Sequence, residues 1–169
     1  MSDQRLSDLD PIEEARRQWI GHGWGEVADG MAAVTSVMRA QQIMLARVEE
    51  VLKPLGLTFS RYELLMLLTF TRSGALPMHK ASARLQVHPT SVTNAVDRLE
   101  AAGLVMRVPH PGDGRATLVE ITAEGRKQAE VATEKLNAEV FARPGLSPRR
   151  VGTLVSVLTE LRRDAGDFD

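Results

Sequence analysis

Apolar residues recur along this chain at two spacings, and the change from one to the other falls inside a single short stretch, Val87 to Thr122. Val92, Ala95, Val96 and Leu99 stand three and four apart, so on a helix they form one buried stripe, while Thr90, Ser91, Thr93, Asn94, Asp97 and Arg98 share the other face. Pro89 suits a first helical turn, where its missing N–H costs nothing, and Gly103 tolerates the left-handed conformation that ends a helix. Beyond Gly103 the period drops to two. Leu104, Met106 and Val108 alternate with Val105 and Arg107, the turn-forming run Pro109-His110-Pro111-Gly112-Asp113-Gly114 interrupts, and Ala116, Leu118, Glu120 and Thr122 alternate with Thr117, Val119 and Ile121. The pattern predicts a helix followed by a hairpin with a polar tip.

The remaining elements read as helices. Met1 to Asp10 is polar and acidic and predicts no packed element. Pro11 opens a short helix with Glu13 and Glu14 at its positive end and Ile12, Ala15, Trp19 and Ile20 on one side, broken by Gly21, Gly23 and Gly25, which read as a linker. From Met31 to Pro54 a stripe through Val34, Met38, Met44, Val48 and Leu52 predicts a helix longer than one small module can cover, so its end must pack on something else. Ser60 and Glu63 have capping-box spacing, with Phe59 and Leu64 as the hydrophobic staple of a helix reaching about Ser73. Leu76 to Leu85 reads as a short helix, and Gln86, Val87 and His88 as a tight turn into the Pro89 helix. After the hairpin, Thr122 caps a helix running toward Phe141; Ser147 and Pro148 open a last one, striped by Val151, Leu154, Val155, Leu158 and Leu161. The chain is expected to be mainly α with a small β-wing.

Two short helices joined by a tight turn make a helix-turn-helix, whose second helix enters a DNA major groove. Threonine, serine and asparagine lower helix propensity slightly, so their concentration on one exposed face asks for a use. They are short enough to let a helix approach base edges and phosphates, and asparagine can pair both N6 and N7 of adenine. The run TSVTNAVDRLEAAGLVMR, the wing sequence DGRATLVEIT with Asp113 and Arg115 one residue apart, and Thr122-Ala123-Glu124-Gly125 together resemble the winged helix-turn-helix of the MarR transcriptional regulators. The resemblance spans roughly residues 31–163.

Residues 1–30, ahead of the resemblance, read as an acidic N-terminal extension with a short helix; the resemblance implies a dimerisation helix over 31–57, a DNA-binding winged helix-turn-helix over 58–122 and C-terminal dimerisation helices over 123–169. It implies a homodimer on a pseudo-palindromic operator in double-stranded DNA, most often as a repressor, released by a small-molecule effector of aromatic or anionic type. Residues matching the motif are Thr90, Ser91, Thr93 and Asn94 as base or phosphate readers, Arg98 as a backbone or base contact and Arg115 at the wing tip, oriented by Asp113. Lys80, His88 and Pro89 complete the expected DNA-facing set, and Trp19, Met38, Met44, Arg61 and Tyr62 are the candidates to border an effector pocket. The chain departs from the family pattern at Gly114, which stands between the acid and the arginine and makes a more mobile tip. The alternative is a winged-helix protein-interaction module whose polar helix face meets no DNA.

Composition narrows this further. With 169 residues, 43% of them hydrophobic, there is material for one domain with helical extensions. The absence of cysteine excludes disulfides, thiolate metal sites and thiol redox sensing. No apolar run reaches membrane-spanning length and no basic-then-apolar leader opens the chain, so a soluble cytoplasmic protein is expected. A net charge of −1 argues against nucleic-acid binding, but the acids crowd the first thirty residues, whereas the Lys80-to-Arg115 segment holds Lys80, Arg84, Arg98, Arg107 and Arg115 against Asp97, Glu100 and Asp113. Binding should therefore depend strongly on salt. His22, His79, His88 and His110 lack metal-site spacing, and Ser82 and Ser91 lack a nucleophile elbow, so neither an enzyme, a metal site nor a cofactor is expected.

Overall fold

The computed structural model describes residues 9–168; the side chains of residues 113–115 lie outside the described part, as do residues 1–8, where the acidic N-terminal stretch falls. The chain forms two compact units, Met1–Arg47 and Val48–Asp169. Among the described residues, no helix is long and apolar enough to cross a membrane.

In the first unit, α1 (Pro11–Gly21) starts where the Asp10 carboxylate accepts the Ile12 N–H at 2.9 Å, with proline in the first turn and Glu13 and Glu14 beside it. The glycine run is a turn rather than a linker. Gly23 takes φ +88°, the Trp24 N–H reaches the Trp19 carbonyl at 2.9 Å, and the two indoles meet edge to face with centroids 5.3 Å apart. α2 (Gly25–Leu52) therefore begins six residues before the Met31 start that the apolar stripe predicts. A glycine inside a helix costs about 1 kcal/mol relative to alanine, which is why Gly25 reads as a break; the tryptophan turn and the Arg16–Asp29 bridge at 2.6 Å hold the extra turns in place. At roughly 1.5 Å per residue, α2 is roughly 40 Å long.

The second unit carries the larger core. After the last turn of α2 and a 3-10 turn (Lys53–Leu55), α3 (Phe59–Thr69) buries Tyr62, Leu64, Leu65 and Leu68. Its cap is Thr58, not Ser60. Thr58 is extended (φ −104°, ψ 165°) and its hydroxyl accepts the Arg61 N–H at 3.4 Å, while the Phe59 N–H goes to Glu49 at 2.8 Å, so Ser60 already lies within the helix and the predicted capping box does not form. Partial burial of Glu63 pushes its carboxyl pKa up. A carboxyl whose pKa rises on folding binds its proton more readily in the folded state, so its contribution to stability falls as pH rises from the unfolded value toward the folded one. Glu63→Gln should therefore be more stable than wild type at pH 7 and indistinguishable from it at pH 3.5 in urea unfolding. An equal difference at both pH values would contradict this.

Leu76 belongs to a strand that the sequence pattern does not reveal. β1 (Ala75–Pro77) pairs antiparallel with the second hairpin strand, Ala75 opposite Glu120 and Leu76 opposite Val119, and α4 (Met78–Leu85) starts only after it. Three residues are too few to show a period. α5 (Pro89–Ala101) leads into the hairpin of β2 (Val105–His110) and β3 (Asp113–Ile121), giving a three-stranded sheet in the order β1-β3-β2. Pairing runs to His110 opposite Asp113, so the turn is shorter than the Pro109–Gly114 run suggests.

α6 (Ala123–Leu136) is capped by Thr122, whose hydroxyl accepts the Gly125 N–H at 2.9 Å and lies 2.8 Å from the Gly103 carbonyl. One π-helical turn (Asn137–Phe141) follows. The Tyr62 hydroxyl meets Thr133 Oγ1 at 3.0 Å, tying α3 to α6 by a polar contact inside the core. α7 (Pro148–Asp164) buries none of its residues, and the Ser147 hydroxyl before it makes no capping bond.

Candidate nucleic-acid interface

The interface is built on α4, α5 and the hairpin. α4 ends at Gln86, which takes φ 53°, and the Val87 N–H returns to the Ser82 carbonyl at 3.4 Å. His88 then caps α5: its Nδ1 accepts the Thr90 N–H at 3.2 Å, and Pro89 fills the first helical position. At the far end Gly103 (φ +72°) and Leu104 close the helix, their N–H groups reaching the carbonyls of Glu100 and Leu99 at 2.9 Å each. Val92, Ala95, Val96 and Leu99 are buried as the stripe predicts. His88, Pro89, Thr90, Ser91, Thr93, Asn94 and Arg98 are all exposed on the outer face, and Lys80 is exposed on α4. Thr93 donates its hydroxyl proton to the Pro89 carbonyl at 3.1 Å, which leaves its oxygen facing outward as an acceptor.

Hollows flank the recognition helix. Thr58, Ser60, Arg61, Ser91, Asn94, Ala95 and Arg98 line one, and Met78, His79, Ser82, Pro89 and Thr93 line another. Arg61 thus stands among the expected DNA readers, its guanidinium held by Thr58 Oγ1 at 3.1 Å and the Gly56 carbonyl at 3.0 Å. The sequence pattern does not predict Thr58 and Ser60 here. Their only sequence signal is the helix start after Leu57, which reads as capping and says nothing about the neighbouring helix. Of the other expected effector-pocket residues, Tyr62 is buried in the core on Thr133, Trp19 packs against Trp24, and Met38 and Met44 are exposed on α2.

Arg107 does not add the outward positive charge that a simple count of basic residues assigns to it. From β2 its guanidinium bonds both Asp97 and Glu100 of α5, and its backbone N–H donates to Glu100 at 3.0 Å. The bond to Asp97 is the largest cause of its raised pKa, with Glu100 adding to it. The single guanidinium offsets one of the two carboxylate charges and joins the wing to the recognition helix. Arg107→Met should cost no more than about 1 kcal/mol of stability, as expected for a partly exposed pair. It should weaken DNA binding more than that suggests, because it leaves two carboxylates uncompensated beside the DNA-facing surface. Electrophoretic titration of wild type and variant at equal salt checks this, and equal affinities would contradict it. At the tip, His110 Nδ1 accepts the Gly112 N–H at 3.1 Å. The side chains of Asp113 and Arg115, the predicted wing-tip pair, lie outside the described residues.

A helix, a tight turn, an exposed polar second helix and an antiparallel hairpin, all on one small core, define a winged helix-turn-helix protein. The MarR family model matches residues 57–117. Sco5413, a MarR family transcriptional regulator from Streptomyces coelicolor, is 53% identical and superposes with a TM-score of 0.76 over 83% of this chain and 98% of that one. The HTH-type transcriptional repressor Rv2887 of Mycobacterium tuberculosis is 31% identical over 108 residues, 62% of this chain and 76% of the relative. Sco3205 from Streptomyces coelicolor, solved in complex with DNA, is 22% identical with a TM-score of 0.70 over 81% of this chain and 88% of that one, and shares the fold. The chain belongs to the MarR family of transcriptional regulators.

Proposed function

We propose that this chain is a sequence-specific DNA-binding repressor that acts as a homodimer and is released by a small aromatic or anionic effector. The observation that carries the DNA reading is the outer face of α5: Thr90, Ser91, Thr93, Asn94 and Arg98 are all exposed, while every apolar residue of the predicted stripe is buried. Such a face fits a major groove, with Ser91 and Asn94 toward base edges and Arg61 and Arg98 toward phosphates. Lys80, exposed on α4, would meet the phosphate backbone.

Dimerisation is supported by apolar surface left uncovered in one chain. α2 exposes Val27, Val34, Val37 and Met38, and α7 exposes Val155, Val157 and Leu161 at 54 to 58%. Surface of this kind on helices marks an interface, and a two-fold pair buries the same residues on both copies. Repression is supported by the similarity to Rv2887, named as a repressor. The effector part of the reading rests on family membership, with Trp19, Met38 and Met44 as apolar contacts to test.

DNase footprinting of the intergenic DNA beside the gene tests this reading. Two protected half-sites with centres one helical turn apart, roughly 34 Å, are expected. Uniform or absent protection would favour the protein-interaction module.

A further inference from the structure

Among the described residues, Gln86 is the only one other than glycine with positive φ; Gly23, Gly56, Gly74, Gly103, Gly145 and Gly166 occupy the other such positions. A side chain in this conformation is held against a steric cost that glycine escapes, so its presence asks what the side chain does. Gln86 sits in the turn between the two helices of the helix-turn-helix. Its Nε2 donates to the backbone carbonyl of Asp167 at 2.6 Å, and its Oε1 faces Arg162 Nη2 at 3.4 Å.

The other half of this contact is ordered by its own chemistry. α7 ends with Gly166 at φ +71°, the Gly166 N–H returning to the Arg163 carbonyl and the Asp167 N–H to the Arg162 carbonyl, each at 3.0 Å. Arg162 Nε binds the Asp167 carboxylate at 2.6 Å. The Phe168 ring lies under both neighbouring guanidiniums, 5.2 Å from Arg162 and 5.3 Å from Arg163. The carbonyl that receives the Gln86 amide is therefore fixed in place by a folded turn.

We propose that this C-terminal turn is a clasp on the helix-turn-helix, with Gln86, Arg162 and Asp167 as positioning residues that hold the entry to the recognition helix. None of the three reads DNA. They act through the turn, three residues before Pro89, and they join the recognition helix to α7, the helix with the exposed Val155, Val157 and Leu161 face. The proposal rests on the DNA-binding reading for its consequence, but the clasp exists or fails without DNA.

Two variants separate the clasp from the turn. Gln86→Asn keeps an amide and a residue type that tolerates positive φ, but its amide is one methylene too short to reach Asp167. Arg162→Met leaves the turn's sequence untouched and removes both arginine bonds. Amide hydrogen exchange on the DNA-free protein should quicken at Val87 and Thr90 in each variant, by about two- to tenfold for the loss of one hydrogen bond. Combined, the two changes should add little beyond either alone, because they break one connection. Operator affinity should fall over the same range, with the unfolding midpoint nearly unchanged. Unaltered exchange at Val87 and Thr90 in Arg162→Met, or effects of the two variants that multiply, would overturn the clasp. Should the wild-type protein show no operator preference, the DNA reading fails while the exchange rates still decide the clasp.

Discussion

Gly125→Ala is expected to unfold at a markedly lower urea concentration than wild type, by about 3 kcal/mol of stability, equivalent to a melting temperature roughly 6 to 12 °C lower. On an ordinary helix the same change would gain about 1 kcal/mol. Here the sign reverses because a Cβ at Gly125 would stand 2.0 Å from the Leu104 carbonyl oxygen and 2.9 Å from Ile121 Cγ1. The oxygen belongs to backbone, so it cannot rotate away. That same carbonyl accepts the Thr122 N–H at 3.1 Å, and Thr122 caps α6 through the Gly125 N–H. The methyl group would therefore push the chain entering β2 away from the start of α6 and disturb the cap as well. Gly21→Ala, where an added Cβ would meet nothing within 4 Å beyond its chain neighbours and its own helix backbone, is the control and should be neutral or slightly stabilising. Equal unfolding midpoints for the two variants would show that the close approach of α6 and Leu104 is not a constraint.

Asn94→Ala is expected to weaken operator binding about 5- to 150-fold, the cost of one bidentate base contact, and to change binding to scrambled DNA little. Arg98→Ala should weaken both and lower the salt slope by about 0.9 for each phosphate that the guanidinium no longer neutralises. The contrast follows from their chemistry: an amide can match a donor and an acceptor on one base edge, whereas a guanidinium near the helix end meets charge. Neither residue is buried, so neither change should move the unfolding midpoint. Titrations with both DNAs over a salt series separate the two effects. Loss of specificity from Arg98→Ala with Asn94→Ala silent would reverse the assignment.

The recognition helix is readable from sequence because Pro89, a four-residue apolar stripe and Gly103 state its start, inner face and end locally. The hairpin is readable for the same reason, through its alternation. What escapes depends on contacts distant in sequence. β1 has three residues and exists because β3 returns to pair with it. Thr58 and Ser60 join the groove only because α3 packs beside α5, and Arg107 turns inward because Asp97 and Glu100 lie across from it. Tyr62 reads as a pocket residue by its type, while its place on α3 buries it. The early start of α2 is hidden by glycines that the packed turn at Trp19 and Trp24 tolerates.

Fluorescence anisotropy with the intergenic DNA and a scrambled duplex over a salt series tests most directly whether α5 reads DNA sequence. One dimer per site, tighter binding to the intergenic DNA at every salt concentration and an affinity that falls steeply with salt are the predicted results. Equal, weak binding to both duplexes, or a complex indifferent to salt, would contradict it.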